Sequence, residues 1–204
     1  MDRINRKEKR HHLTGWFSVV SVLLMLNTIT ARAADIEFRD PRQYFFIQSF
    51  GDLPEELLTA RSQHKQGILL FFEADGCPYC AAMLKGVLSQ KKVQDWYRER
   101  FLSIAIDIRG DVEIKDFDQI TLPEKVFAEH RRVFLTPTLS FIDLDGIEIY
   151  RHTGMVKTAE ELLLMGEYIE GKHYFDTEFK VYAGIHGLQN AGGALVTPAK
   201  KSTN

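Results

Sequence analysis

Five consecutive apolar residues, Ile68-Leu69-Leu70-Phe71-Phe72, run up to the chain's only two cysteines, which stand in Cys77-Pro78-Tyr79-Cys80. A continuous apolar run of that length, preceded by Gly67, predicts a strand covered on both faces, as in a sheet between helices. After the cysteines, Ala81, Ala82, Met83, Leu84 and Leu88 favour a helix, which places Cys77 near a helix N-terminus. Unpaired N–H groups and the helix dipole favour a negative charge there, and the thiolate is the attacking form of a cysteine. Cys77 is therefore the expected attacking, more exposed thiol. Cys80, one helical turn later, is the expected resolving thiol. Three other uses of the pair fit less well. A structural disulfide closing so short a loop restricts the unfolded chain little. Zinc needs two further ligands, and His64, His130, His152 and His173 are scattered without ligand-like spacing. Each lone His reads as a surface residue. Covalent haem needs His directly after the second Cys, where Ala81 stands. No metal is expected, and no cofactor beyond the redox-active Cys77–Cys80 pair.

The rest of the chain reads as alternating strands and helices. Residues 35–51, with Phe38, Tyr44, Phe45, Phe46 and Phe50, read as a strand or an extended lead-in. Asp52-Leu53-Pro54-Glu55 has the form of a capped helix start, and Leu53, Leu57, Leu58 and Ala60 supply the apolar face. A helix is expected over Lys91 to Arg100 and a strand over Phe101 to Asp107. Residues 108–120 read as a loop, and Thr121-Leu122-Pro123-Glu124 as a second capping box opening a helix to about Arg131. Thr138 to Ile142 is an expected strand. Asp145-Gly146 marks a hairpin before the strand Ile147 to Arg151. Thr158-Ala159-Glu160-Glu161 caps a last helix. The implied class is α/β, a layered sheet with helices. The tail from 183 to 204 has little to bury and is expected to be disordered.

A chain of 204 residues suits one domain plus appendages. Residues 1–33 hold six of the 26 basic residues and two of the 28 acidic ones, which leaves 20 and 26 in the remainder. A mildly acidic body offers no footprint for nucleic acid. The first 33 residues have the order of a secretory signal peptide: a basic start, an apolar stretch from Leu13 to Ile29, and Ala31-Arg32-Ala33 as a small-x-small cleavage site. The alternative is an uncleaved membrane anchor. Export would place the mature protein in the periplasm, an oxidising compartment.

Downstream, Thr136-Pro137-Thr138 opens a strand, a position that proline tolerates. A cis bond there would set the Thr136 backbone beside the cysteines, free to pair with an extended substrate. A trans proline simply opening the strand is the alternative.

Together, Cys-Pro-Tyr-Cys after an apolar strand, Thr136-Pro137-Thr138 and Gly154 after the hairpin resemble the thioredoxin superfamily. More narrowly, the segments 72–80, Asp107-Ile108-Arg109-Gly110, 136–138 and 151–154 resemble SoxW-type periplasmic thioredoxins. The resemblance implies a thioredoxin fold over 52–182, with a central mixed sheet flanked by helices. It also implies a cis Thr136–Pro137 bond, Cys77 as nucleophile, and Pro78, Tyr79, Thr136, Pro137 and Gly154 along the substrate groove. There are departures. Pro78-Tyr79 replaces the common Gly-Pro pair, Gly76 replaces the usual Trp, and Phe71 stands where thioredoxins keep a buried Asp. Glu73 and Asp75 are nearby acids. Glu73 can point to solvent, and neither is assigned as a base.

The function implied is reduction of disulfides in periplasmic protein substrates, with a membrane thiol-electron transporter as the expected donor. An oxidase is the nearest alternative. An isomerase of the same fold is a further alternative, though isomerases usually carry a dimerisation module, for which the segment before Asp52 is short. A monomer is expected. A non-catalytic peptide-binding or chaperone module using the same groove is the alternative from another class.

Overall fold

The computed structural model describes residues 36–188. The expected signal peptide, residues 1–33, and the tail from residue 189 onward lie outside the described residues. One turn of helix, α1 (Pro41–Tyr44), precedes α2 (Leu53–Ser62) and the first strand, β1 (Gly67–Glu73). Next come α3 (Pro78–Gly86), α4 (Lys91–Arg100) and β2 (Phe101–Asp107). A small two-stranded sheet, β3 (Glu113–Lys115) and β4 (Thr121–Pro123), leads into α5 (Glu124–His130). The hairpin of β5 (Thr138–Asp143) and β6 (Glu148–Thr153) is followed by α6 (Ala159–Glu170), a 3-10 turn (His173–Phe175) and α7 (Phe179–Ile185).

The main sheet has the order β2-β1-β5-β6. β1 runs parallel to β2, from Gly67 opposite Phe101 to Glu73 opposite Asp107, and antiparallel to β5. β1 is central, which is why its apolar run is continuous: Ile68 to Phe72 are all fully buried. Side chains alternate across a strand, so the run divides between two cores. Leu69 and Phe71 join Met83 of α3, Tyr97 of α4 and Leu162 of α6 on one face. Ile68, Leu70 and Phe72 join Leu53 of α2 and Phe127 of α5 on the other. Gly67 is required by a close approach, since a Cβ there would lie 2.0 Å from the Ile142 carbonyl oxygen.

The capped starts at Asp52 and Thr158 form as expected. Each side chain accepts a backbone N–H three residues on, from Glu55 and Glu161 respectively. Several expectations are corrected. The lead-in is neither a strand nor uniformly extended. Asp40 caps α1, and Phe45 and Phe46 are buried in the core beyond it. Leu58 is exposed and does not belong to the apolar face of α2. The expected loop 108–120 contains β3. Thr121 to Pro123 form its partner strand β4, not a capping box, and Pro123 precedes α5 as an N-cap that makes no side-chain bond. The strand after the hairpin spans Glu148–Thr153, so it begins one residue later and ends two later than expected. His152 is buried on that strand, not at the surface. α7 continues to Ile185 with Ala183 fully buried, so the chain is still packed past residue 182.

Candidate active site

β1 ends at Glu73, and the chain turns through Ala74-Asp75-Gly76 before α3. Gly76 takes a φ of 72°, a left-handed conformation that glycine adopts at no steric cost. The Cys77 N–H donates to the Ala74 carbonyl at 3.2 Å and closes this turn. Pro78 occupies the first helical turn, where its missing N–H leaves no bond unmade.

Cys77 is the N-cap of α3, and its Sγ accepts the Cys80 N–H at 3.1 Å. The two cysteines are joined as a disulfide, with Cα atoms 5.3 Å apart. Their environments differ. Cys77 is partly exposed, whereas Cys80 is buried at 2% in the layer that also holds Phe71 and Met83. A backbone donor aimed at a sulfur at a helix start is the arrangement that would favour a thiolate once the disulfide is reduced.

The register brings a second segment to this end of the sheet. Thr138, first in β5, lies opposite Phe72 near the end of β1, where the cysteine turn departs. The Thr136–Pro137 peptide just before it is cis. Pro137 is buried, and its carbonyl accepts the Gly154 N–H at 2.8 Å. Thr138 also pairs with Thr153. Thr136, Pro137 and Gly154 are thus tied together beyond the ends of β5 and β6.

A cleft of about 500 Å³ opens beside the disulfide. Of the residues expected at the site, Cys77, Pro78 and Cys80 line it. Tyr79, Thr136, Pro137 and Gly154 do not. Tyr79 instead projects outward, 61% exposed.

The cleft also contains a residue that the sequence did not mark. Arg42 reaches it from α1 and lines it with Glu73, Asp75 and Asp107. The guanidinium donates to both carboxylate oxygens of Glu73, at 2.6 and 2.7 Å, and lies over the Phe46 ring. The Glu73 side chain is only 14% exposed, so it does not point freely to solvent. The bond to Glu73 holds the Arg42 pKa above its ordinary value, against the opposing effect of burial. Behind Asp107, the Glu124 carboxylate accepts the Asp107 N–H at 3.2 Å. Burial pushes the Glu124 carboxyl up. That bond opposes the shift, and the charges of Asp107 and Glu73 add to it.

A mixed sheet with helices on both faces, carrying a C-x-x-C disulfide at a helix start, defines a protein built for thiol–disulfide exchange. Residues 53–170, more than half of the chain, match the family model of the thioredoxin-like domain, and the chain belongs to that family. It is similar to a thioredoxin-fold protein from Helicobacter pylori, at 22% identity and a TM-score of 0.56, covering 74% of this chain and 96% of that one. It is also similar to a thioredoxin from Thermus thermophilus, at 22% identity and a TM-score of 0.46, covering 66% and 88% respectively. The C-terminal domain of DsbD from Neisseria meningitidis, in its reduced form, follows at 18% identity and a TM-score of 0.41, covering 55% and 89%. No curated protein matches the chain. The first likeness supports the thioredoxin fold.

Proposed function

We propose that this chain is an exported reductase of protein disulfides, with Cys77 as nucleophile and Cys80 as resolving thiol. The observation that carries this reading is the asymmetry of the pair. Cys77 is partly exposed at a helix start with a backbone N–H on its sulfur, and Cys80 is buried one turn behind it. In the reduced protein, the Cys77 thiolate attacks one sulfur of a substrate disulfide. A mixed disulfide forms, and the other substrate sulfur leaves as a thiolate that takes up a proton. Cys80, as thiolate, then attacks the Cys77 sulfur and expels the second substrate thiolate. Two electrons have passed to the substrate, and Cys77 and Cys80 end joined as they stand here.

In this reading the Thr136 backbone, with Pro137, Gly154, Pro78 and Tyr79, guides an extended substrate strand to the sulfurs. The likeness to SoxW-type thioredoxins and the signal-like residues 1–33 favour work in the periplasm. A reductase there must be re-reduced, which calls for a thiol-electron transporter in the membrane. The monomer is the working unit.

The reduction potential of the pair separates a reductase from an oxidase. Equilibrated with a glutathione or dithiothreitol couple, it should lie nearer thioredoxin's value of about −270 mV than DsbA's of about −120 mV. A value at the oxidising end would reverse the proposed direction of electron flow.

A further inference from the structure

The cleft beside the disulfide poses an electrostatic problem for a nucleophilic Cys77. Glu73, Asp75 and Asp107 all line it. Nearby negative charge disfavours ionisation of a thiol. Glu124 lies behind Asp107 and is bonded to its N–H. Tyr79, two residues after Cys77 in the chain, is exposed. Among the residues lining the cleft, Arg42 is the single cation.

Its placement is fixed by contacts at both ends of the pair. Asp40 caps α1 by accepting the Arg42 N–H at 2.9 Å, and the buried Phe45 and Phe46 pin the end of that turn to the core. Glu73 is fixed as the last residue of β1, paired with Asp107. A planar guanidinium with both bonds made to one carboxylate is the strong form of an ion pair. The pair also joins the lead-in to the strand that carries the cysteine turn.

We infer that Arg42 is a positioning residue for the thiol–disulfide chemistry: by clasping Glu73 it cancels a carboxylate charge in the cleft and so favours the Cys77 thiolate. The inference rests on the reading of Cys77 as nucleophile. It assigns to the lead-in segment a part in setting the reactivity of the site.

The test is a charge cycle in the full chain, in a Cys80→Ala background so that one thiol is observed. Arg42→Gln, Glu73→Gln and the double variant are compared by ultraviolet thiolate titration and by alkylation rate at neutral pH. Arg42→Gln leaves an unbalanced acid, so the Cys77 ionisation midpoint should rise and alkylation should slow by about threefold or more. Glu73→Gln leaves an unbalanced cation, so both readouts should move the opposite way by a similar factor. The double variant restores neutrality and should return close to the parent. A merely structural tie would instead make both single variants and the double behave alike. The inference is overturned if the single variants shift the midpoint in the same direction, or if neither moves it while circular dichroism shows all three folded. Insulin turnover by the chain with both cysteines tests the catalytic reading separately. Absent turnover would remove that reading even where the charge cycle gave the expected order, so the failure of the one is distinguished from the failure of the other.

Discussion

Replacing Cys77 by Ser should reduce catalysed insulin-disulfide reduction to the background set by the reductant alone. The loss follows from the site rather than from unfolding. Cys77 is the N-cap of α3, and serine is a preferred N-cap whose oxygen accepts the same kind of backbone N–H. The variant should therefore keep its helix and its circular dichroism spectrum. What disappears is the sulfur that forms the mixed disulfide, and a serine hydroxyl at neutral pH cannot replace it. Retention of a large fraction of the turnover in a folded Cys77→Ser protein would move the chemistry to Cys80 or off this pair altogether.

Phe71→Asp should be strongly destabilising, although the resemblance to common thioredoxins implies an Asp at this position. Phe71 is fully buried in β1, between Ala105 of β2 and Leu139 of β5, with its ring 5.6 Å from that of Phe46. Removing a buried Phe side chain costs about 3–5 kcal/mol. An ionised carboxylate placed in that apolar layer adds the cost of burying an unpaired charge. Against net stabilities of about 5–15 kcal/mol, the variant should unfold at much lower urea or fail to fold. Phe71→Leu keeps an apolar side chain and should cost about 1–2 kcal/mol. A Phe71→Asp protein as stable as the parent would mean that this layer can solvate an acid after all. The apolar packing around Cys80 would then be misread.

The contrast at position 71 bears on what the sequence makes visible. Strong local patterns carried over directly. Lys91–Arg100 forms a helix and Phe101–Asp107 a strand at the expected bounds, because periodicity and the change of composition at Phe101 agree. The caps at Asp52 and Thr158 carried over for the same reason. Elsewhere tertiary contacts override the local signal. Thr121 to Glu124 has the letters of a capping box, but Thr121 to Pro123 pair with β3, and the Glu124 carboxylate turns to the Asp107 N–H instead. Three-residue strands carry too little alternation to be read in advance. Phe45 and Phe46 gave no periodic signal, yet both belong to the core.

The cysteine pair and its helix were legible because a strand, a turn and a helix start lie within one continuous stretch. Arg42 was not. Its partner Glu73 is 31 residues away, and the contact exists only because α1 folds back over the end of β1. No spacing rule encodes such a meeting.

The central claim is that Cys77 attacks and Cys80 resolves, and one trapping measurement tests it most directly. Cys80 lies in an apolar layer, so Cys80→Ala removes the resolving thiol without burying an unpaired hydroxyl. Mixed with a disulfide-bonded protein, this variant should accumulate a covalent complex, released by dithiothreitol and mapped by mass spectrometry to Cys77. The matching Cys77→Ala variant should accumulate none. Trapping through Cys80 in the Cys77→Ala protein, with no complex in the Cys80→Ala protein, would contradict the assignment.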